Sequence, residues 1–226
     1  LSRYPIDTTA TRTFQKFRWS ALPEALRPAD PENGQPFHDD ATWKAMRLSS
    51  KNHADVVIDL PRESIPKQLH FLVSHPTPPV FDGPEDLNGR RNHDEIDFWR
   101  RYISESDADY LIDDQGRAGG LGANDFFVIA GDLNSDPNKG DSRREGIRGL
   151  LDHRRIQDPK PTNRHGRSAT ASFGEGEGVR IDYVLPSSNM QVVASQVVWP
   201  RRDEPLGEAI HATDHRMVYV DLVVPE

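Results

Sequence analysis

Acids, an amide and imidazoles recur in this sequence where apolar, strand-like segments begin or end. His75 closes the segment LHFLVSH, Asp132 closes FFVIAGD, and Asp182 lies in RIDYVL. The pair Asp214-His215 immediately precedes RMVYVDL. Carboxylates bind hard cations through oxygen, a bound cation offsets charge that develops on a phosphate, and a histidine held by a carboxylate manages a proton. These residue types are the ones that metal-assisted phosphoryl hydrolysis needs.

The segment GDLNSDP carries the sharpest of these signals. Asp132 and Asn134 are two residues apart, so in an extended chain both side chains leave the same face. They would offer a partner for a metal or a water and a neutral donor for a phosphate oxygen. An Asp/Asn turn after a buried strand explains this segment equally well when it is taken alone. A calcium-binding EF-hand loop is excluded, because Pro137 stands where that loop needs glycine and Arg143 where it needs glutamate.

Asp182 and the Asp-His pair at 214–215 are ambiguous when each is taken singly. Apolar residues at 181, 183 and 185 alternate on one face of a predicted strand, which leaves Asp182 on the other face. That pattern also fits a solvent-facing polar row on an edge strand. An acid and a histidine before a strand also fit a solvated turn, since most histidines have no special role. Both interpretations stay open for these residues.

The periodicity of apolar residues predicts one α/β or α+β domain over residues 1–226, built on a sheet. The predicted strands are 54–60 and 69–75, joined as a hairpin, and then 126–132, 180–186, 191–200 and 216–224. LSRYPI at 1–6 is interpreted as the end of a strand, and 7–40 and 159–178 as mostly loop. The predicted helices are 41–48, capped by Asp39 or Asp40, about 93–104, capped by Asn92, and about 142–154, with a capping box from Ser142 to Glu145.

The composition limits the classes of function. Of the 226 residues 35% are hydrophobic, and the formal net charge is -8. This acidic balance argues against a broad basic groove for nucleic acid, but it does not exclude a nuclease, because bound cations can offset charge at the site. No cysteine is present, so a thiolate nucleophile and cysteine-ligated zinc are excluded. No run approaches the roughly 20 apolar residues that cross a bilayer, so no membrane span is predicted.

Taken together and in this order, five segments resemble the endonuclease/exonuclease/phosphatase superfamily: LSRYPI, LHFLVSHPTPP, VIAGDLNSDP, RIDYVLP and TDHRMVYVDL. The resemblance covers the chain from end to end, and the order of its G-D-x-N, D-Y-V and D-H motifs makes the joint signal strong. It implies a metal-dependent phosphoesterase that uses Mg²⁺, or Mn²⁺ or Ca²⁺, and a deoxyribonuclease-like four-layer αββα sandwich of two packed sheets. SSKNHADVVI and SHPTPPVFDGPEDLNGRRNHDEI are similar to a bacterial, often secreted branch, which favours an extracellular or periplasmic location.

The resemblance also implies a role for each matching residue. Asp132 would bind or orient the attacking water, and Asp132 and Asp214 would be metal ligands. Asn134 would hold a phosphate oxygen. His215 would be the catalytic imidazole, and Asp182 the carboxylate that holds it.

Contacts to the phosphate are expected from further residues. The resemblance implies that His75 contacts the phosphate or the leaving group. Three residues at the predicted start of the second helix, where anions bind readily, are candidates for phosphate contact: Arg90, Arg91 and Asn92.

Part of the family pattern has no counterpart in this sequence. Family members also use an asparagine on the first strand and a metal-binding glutamate on a later one, both upstream of the segment that LSRYPI resembles. We therefore expect the chain to be a C-terminal portion, packed against an N-terminal segment or a second copy. Nucleic acid, phospholipid headgroup, inositol phosphate and simple phosphomonoester all stay open as substrates, because loops decide substrate choice in such a fold. The alternative to an enzyme is a non-catalytic binding or scaffold module.

Overall fold

The computed structural model describes residues 1–61, 67–104, 106, 108–174, 178–201, 203–205, 207–208 and 212–225. The strands of this part of the chain are β1 (Ile6–Thr13), β2 (His53–Leu60), β3 (Lys67–Ser74), β4 (Phe126–Asp132), β5 (Asp182–Pro186), β6 (Gln191–Val198) and β7 (Met217–Val223). The helices are α1 (Asp40–Ala45), α2 (Leu87–Tyr102) and α3 (Arg144–Leu151), with a short 3-10 turn at Trp19–Ala21. No helix of the described residues is long and apolar enough to cross a membrane.

The strands form a five-stranded sheet and a separate two-stranded one. The larger sheet has the order β1-β2-β3-β4-β5, and β6 pairs with β7. β3 and β4 are parallel, whereas every other pair in these sheets is antiparallel. The carboxyl ends of β3 and β4 therefore lie at the same edge as the beginning of β5. Polar residues at these three strand ends are brought together by the topology alone.

Helix α2 covers one face of the larger sheet. Its aromatic residues Phe98, Trp99 and Tyr102 are buried in the main core. Two of them also donate hydrogen bonds to the sheet, from Trp99 Nε1 to Ser74 Oγ (2.8 Å) and from the Tyr102 hydroxyl to Asp55 Oδ2 (2.7 Å). Truncating a buried aromatic residue of this kind costs about 3–5 kcal/mol, so this helix is fixed against the sheet.

The opposite face of the larger sheet, the open face, is apolar and only half-buried. Val56 on β2 is paired with Phe71 on β3, and Ala54 with Val73, so these side chains share that face. All four are half-buried, whereas Val57 and Leu72 on the helix-covered face are fully buried. The apolar residues of β4 belong to this larger sheet, whereas those of β6 and β7 belong to the two-stranded sheet.

Most of the predicted elements are present, with a correction at the N-terminal end of the chain. Residues 1–6 were predicted to end a strand, but β1 begins only at Ile6. Residues 7–13 were predicted to be part of a loop, but they belong to β1. The sequence IDTTATRT has no apolar alternation, because β1 lies at the edge of the sheet and is held by pairing with β2. α1 is capped by Asp39, whose Oδ1 accepts from Thr42 N at 2.8 Å, as predicted.

The two longer helices begin at other residues than predicted. α2 starts at Leu87, with Asp86 in the N-cap position, so Asn92 is an interior residue of the helix and not its cap. The first turn, Leu-Asn-Gly-Arg, lacks apolar periodicity and therefore hid the start. α3 starts at Arg144 with no side-chain cap, and Ser142 Oγ instead accepts from Ser135 Oγ, so the capping-box prediction is wrong.

Candidate active site

The close approach of β3 and β4 forms the base of the site. Gly131, the last residue but one of β4, has a φ of 156°, and a Cβ there would lie 2.1 Å from the carbonyl oxygen of Ser74. Any side chain at this position would push the end of β3 away. Because His75 follows Ser74 and Asp132 follows Gly131, this glycine allows the two polar side chains to meet. His75 Nε2 lies 3.4 Å from Asp132 Oδ2.

The register of β4 and β5 places two carboxylates side by side. Asp132 is the direct partner of Asp182 in this antiparallel pair. Burial raises the pKa of Asp132, and the neighbouring charge of Asp182 raises it further, while the hydrogen bond from the Asn134 amide opposes the rise. A pair of carboxylates held this close favours a cation or a protonated imidazole between them.

An imidazole lies next to this pair. Nδ1 of His215 is 3.1 and 3.0 Å from the two carboxylate oxygens of Asp182, and its Nε2 is 3.9 Å from Asp132 Oδ2. A carboxylate can only accept, so Nδ1 carries the hydrogen of this bond, and Nε2 faces Asp132. Burial alone would lower the pKa of His215, but the hydrogen bond and charge of Asp182 outweigh it, and the pKa is raised.

The segment from Ser168 to Ser172 holds both partners in place. Thr170 Oγ1 accepts from the backbone amides of Ile181 (3.0 Å) and Asp182 (2.9 Å). On its other side, the Arg216 amide donates to Thr170 O at 2.7 Å and the Ser172 amide donates to Asp214 O at 3.0 Å. One short segment therefore sets the distance between the strand that carries Asp182 and the chain that carries His215.

His75 is half-exposed and faces the same centre. Burial lowers its pKa, the nearby charge of Lys51 lowers it further, and the charge of Asp132 works in the other direction. The net lowering keeps this imidazole neutral near pH 7, so that it can donate one hydrogen bond to a substrate oxygen. It stands opposite His215 across the Asp132 carboxylate.

Asn134 forms the Asp/Asn turn after β4 and also lies in the candidate active site. Its backbone amide donates to Asp132 Oδ1 at 2.9 Å, which is the Asp/Asn turn that the sequence left open, and its φ is 50°. The Asn134 side chain donates one hydrogen to Pro76 O at 3.1 Å. A carboxamide has two N–H donors, so the second is available to a ligand.

Two buried polar residues of α2 support the loops that leave β3 and β4. Nδ2 of Asn92 donates to Thr77 O (2.9 Å) and to Leu133 O (3.0 Å), which ties the two loops together. Oε2 of Glu95 accepts from Thr77 N at 2.5 Å. Both side chains are fully buried. Asn92 is therefore near the site but bonded to backbone, so its predicted contact with phosphate at a helix start is wrong.

Arg90 ends the first turn of α2 and Arg91 follows it, and both side chains contact protein. Arg90 Nε donates to Glu85 O at 3.0 Å, and the guanidinium of Arg91 lies 5.0 Å from the centre of the Trp19 ring. Burial lowers the pKa of Arg91, whereas the charge of Glu95 opposes this shift. Both side chains are engaged within the protein, and contact of Arg90 or Arg91 with a phosphate stays a prediction.

The donor set fits a divalent cation. Asp132, Asp182 and His215 each offer one ligand atom, and these atoms all lie within 4.8 Å of one another. Because Asp182 is bonded to His215, Asp132 is the carboxylate of this group that is free to bind metal. Asp214, the second predicted ligand, is exposed and has Oδ1 3.9 Å from Nε2 of His215. The two carboxylates thus flank the same imidazole nitrogen.

Residues 1–215 match the protein family described as endonuclease/exonuclease/phosphatase. This chain belongs to that family. Among solved structures, an endonuclease/exonuclease/phosphatase from Beutenbergia cavernae DSM 12333 is similar, with 18% identity, a TM-score of 0.56, and 99% of this chain and 46% of that chain covered. Another, from Bacteroides vulgatus, has 11% identity and a TM-score of 0.51, over 98% of this chain and 67% of that one. No curated protein sequence matches significantly.

Family membership and these two structures establish the fold. The sheet-rich α/β architecture is that of the deoxyribonuclease-like sandwich, as the resemblance implied. At such identities the likeness shows the fold alone. The chain spans about half the length of the first of these structures.

Some residues that shape the site were not found from the sequence. Thr170 lies in the segment 159–178, which has no periodic pattern, and its role depends on contacts with β5 and residue 216. Phe173 is exposed, and its ring centre lies 5.8 Å from that of His215. Glu95 stands in a helix of mixed polarity, where nothing in the sequence distinguishes a buried acid from a solvated one.

Proposed function

We propose that this chain carries the catalytic residues of a divalent-metal-dependent hydrolase of phosphate esters. The observation that carries the proposal is the arrangement of His215, which is bonded through Nδ1 to Asp182 and presents Nε2 to the Asp132 carboxylate. A family whose description includes nucleases and phosphatases supports the same class of reaction.

In this proposal His215 moves the proton. Nε2 accepts a proton from the attacking water when it is unprotonated, or donates one to the leaving oxygen when it is protonated, and Asp182 stabilises the imidazolium. Asp182 also fixes the tautomer, because only the Nδ1–H form satisfies both of its contacts. Positioned acid–base catalysis of this kind contributes about 10²- to 10⁴-fold in rate.

The residues around His215 would position the water and the phosphate. Asp132 Oδ2 lies between the two imidazoles and can accept a hydrogen bond from the attacking water. The neutral imidazole of His75 and the free N–H of the Asn134 amide then donate to phosphate oxygens. Such donors stabilise the negative charge that develops in the transition state.

Asp132 and Asp214 would hold the cation, as the resemblance implied. A bound Mg²⁺ supplies Lewis-acid stabilisation of the phosphate, and Mg²⁺ keeps several waters when proteins offer it only one or two carboxylates. We therefore expect this chain by itself to bind Mg²⁺ or Mn²⁺ more weakly than micromolar. Calorimetry with Mn²⁺ is the measurement, with Asp214→Asn as the variant and the exposed Asp221→Asn as its control. Micromolar affinity in the unaltered chain would contradict the argument that two carboxylates are too few protein ligands for tight binding.

Hydrolysis of bis-p-nitrophenyl phosphate and p-nitrophenyl phosphate by the protein that contains this chain tests the function. We expect turnover that requires added Mg²⁺ or Mn²⁺ and that His215→Ala reduces by at least about 10²-fold. His38→Ala, which removes an imidazole far from the site in sequence and contacts, is the control. If the protein binds phosphate esters but hydrolyses neither compound, it is a non-catalytic binding module instead.

A further inference from the structure

A cavity lies beside the candidate active site. Its volume is about 770 Å³, within the range of cavities that hold small molecules. The wall is formed by the loop after Asn134, the C-terminal half of α3, and the paired segments around Ala169 and Gly178. Nothing in the proposed chemistry uses this space.

The lining of the cavity is basic in an otherwise acidic chain. Five basic side chains face three acidic ones there, although the whole chain has a formal net charge of -8. The basic residues are Lys139, Arg148, Lys160, Arg167 and Arg180. A concave surface of one charge sign concentrates ligands of the opposite sign, so the cavity favours an anion.

Two of the three acids are already engaged within the protein. The carboxylate of Asp158 forms a bidentate pair with Arg180, at 2.9 and 2.6 Å. Asp136 accepts three backbone amides, from Asn138 (2.8 Å), Lys139 (3.1 Å) and Arg180 (2.7 Å). Both acids therefore have their main hydrogen-bond partners within the protein, and Asp158 in addition has a charge interaction with Lys160, a basic residue at the mouth of the cavity.

Arg180 gives the cavity a fixed floor. It is only 8% exposed, its guanidinium lies 4.6 Å from the centre of the Tyr183 ring, and its Nε has no hydrogen-bond partner among the described residues. At the mouth, Lys160 and Arg167 are exposed, and no side-chain hydrogen bond or ion pair to a described residue engages them. A rigid base, in which Arg180 is paired with Asp158, lies below two cations that have no side-chain hydrogen bond or ion pair to any described residue, and such cations are suited to binding an anionic group.

The cavity and the candidate active site share one wall. Ser168 and Ala169 line the cavity, whereas Thr170 and Ala171, the next residues, contact Asp182 and His215. Two residues of extended chain span about 7 Å. A molecule that spans this segment would place one phosphate at His215 and a second anionic group in the cavity.

We propose that this cavity binds a second phosphate group of a small, multiply phosphorylated substrate, an inference that rests on the proposed function. The limited volume and the local character of the basic charge favour a small molecule over nucleic acid, which needs a basic stripe along an extended surface. The cleaved phosphate lies at His215, and the group in the cavity raises affinity and selects the substrate.

Binding is tested first, without metal, so that turnover is not needed. Inorganic phosphate is titrated in EDTA into ¹⁵N-labelled protein, and we expect amide shifts at Gly166, Ala169 and Gly178. The double variant Lys160→Ala/Arg167→Ala should lose these shifts and weaken binding at least ten-fold, the effect of about one charge-assisted hydrogen bond. The exposed pair Arg3→Ala/Lys16→Ala removes the same charge elsewhere and should change nothing.

Kinetics then separate the possible substrates. For a sugar bisphosphate, Lys160→Ala/Arg167→Ala should raise KM about ten-fold and leave KM for p-nitrophenyl phosphate unchanged. If the variant instead weakens hydrolysis of a single-stranded oligonucleotide and leaves the bisphosphate unaffected, the small-molecule proposal is overturned. Hydrolysis without phosphate binding in the cavity overturns it as well. Phosphate binding in the cavity of a protein that hydrolyses no ester supports the anion site and refutes only the proposed function.

Discussion

Nδ1 of His215 lies 3.0 and 3.1 Å from the two carboxylate oxygens of Asp182, although the two residues are 33 positions apart in sequence. Asp182 begins β5 of the five-stranded sheet, whereas His215 precedes β7 of the two-stranded sheet. The contact depends on Thr170, whose hydroxyl accepts from the Asp182 amide and whose carbonyl accepts from the Arg216 amide. The orientation of this imidazole is thus determined by tertiary structure and not by its own strand.

Asp182→Asn should lower kcat by about 10²- to 10⁴-fold with little effect on KM, because the amide can hold His215 in the wrong tautomer and cannot stabilise an imidazolium. Steady-state kinetics on bis-p-nitrophenyl phosphate measure kcat and KM separately. If the two residues act as one unit, Asp182→Asn/His215→Ala should be no slower than His215→Ala alone. Asp221→Asn, an exposed change of the same kind on β7, should leave kcat unaltered. Additive losses in the double variant would show that Asp182 acts independently of His215.

The strand ends that carry the site could be predicted from sequence because their signal is local. FFVIAGD is an apolar run with its acid at the last position, and β4 ends at Asp132 as predicted. Likewise, alternation at 181, 183 and 185 predicted which face of β5 is buried, and those three residues are buried. The order of such segments was sufficient to indicate the family and its fold.

The residues that support the site could not be predicted, because their roles depend on partners distant in sequence. Asn92 looked like a helix cap, since Asn is a common cap and apolar periodicity begins just after it. Its true partners, Thr77 O and Leu133 O, are 15 and 41 residues away. β1 was missed for a related reason, because an edge strand held by pairing needs no apolar pattern of its own.

Asn92→Ala should impair the enzyme without removing any group that touches substrate. The change leaves two buried carbonyl groups without this donor, which costs about 1–3 kcal/mol of stability, and loosens the loops that carry His75 and Asn134. We expect kcat to fall more than KM rises, and urea denaturation to show the loss of stability. Asn88→Ala is the matched control, because Asn88 lies one turn earlier on α2 and donates to Val80 O, outside the site. Equal losses of activity in both variants would point to general destabilisation of α2 rather than to positioning.

The open face of the larger sheet leads to a prediction about the isolated 226-residue chain. Val56, Phe71 and Val73 form part of an apolar surface that is only half-buried, and soluble monomers rarely expose contiguous apolar patches above a few hundred Å². We propose that these residues on their own associate through a second copy at this face. Light scattering at micromolar concentration should show dimers or larger species, and Val56→Thr/Val73→Thr should reduce their fraction. Val223→Thr, at an exposed position of β7, should not. A monomer that melts cooperatively would show that the face needs no partner.

Glu95 should make the stability of the protein depend on pH. Burial raises the pKa of this carboxyl, while hydrogen bonds from Thr77 and Ser49 and the charge of Arg91 only partly offset the rise. A group whose folded pKa lies above its unfolded value of about 4.5 favours folding below that pH, and this contribution is lost as the pH rises through the folded pKa.

Glu95→Gln removes the ionisation but keeps an oxygen for the Thr77 amide. We therefore expect the variant to gain about 2–4 °C in Tm at pH 7.5, the shift that roughly 1 kcal/mol produces in a domain of this size, and little at pH 4. Thermal unfolding followed by circular dichroism across this range is the measurement, with Glu32→Gln at an exposed loop as the control. A Tm difference that does not change with pH would mean that Glu95 stays in one protonation state when the protein unfolds.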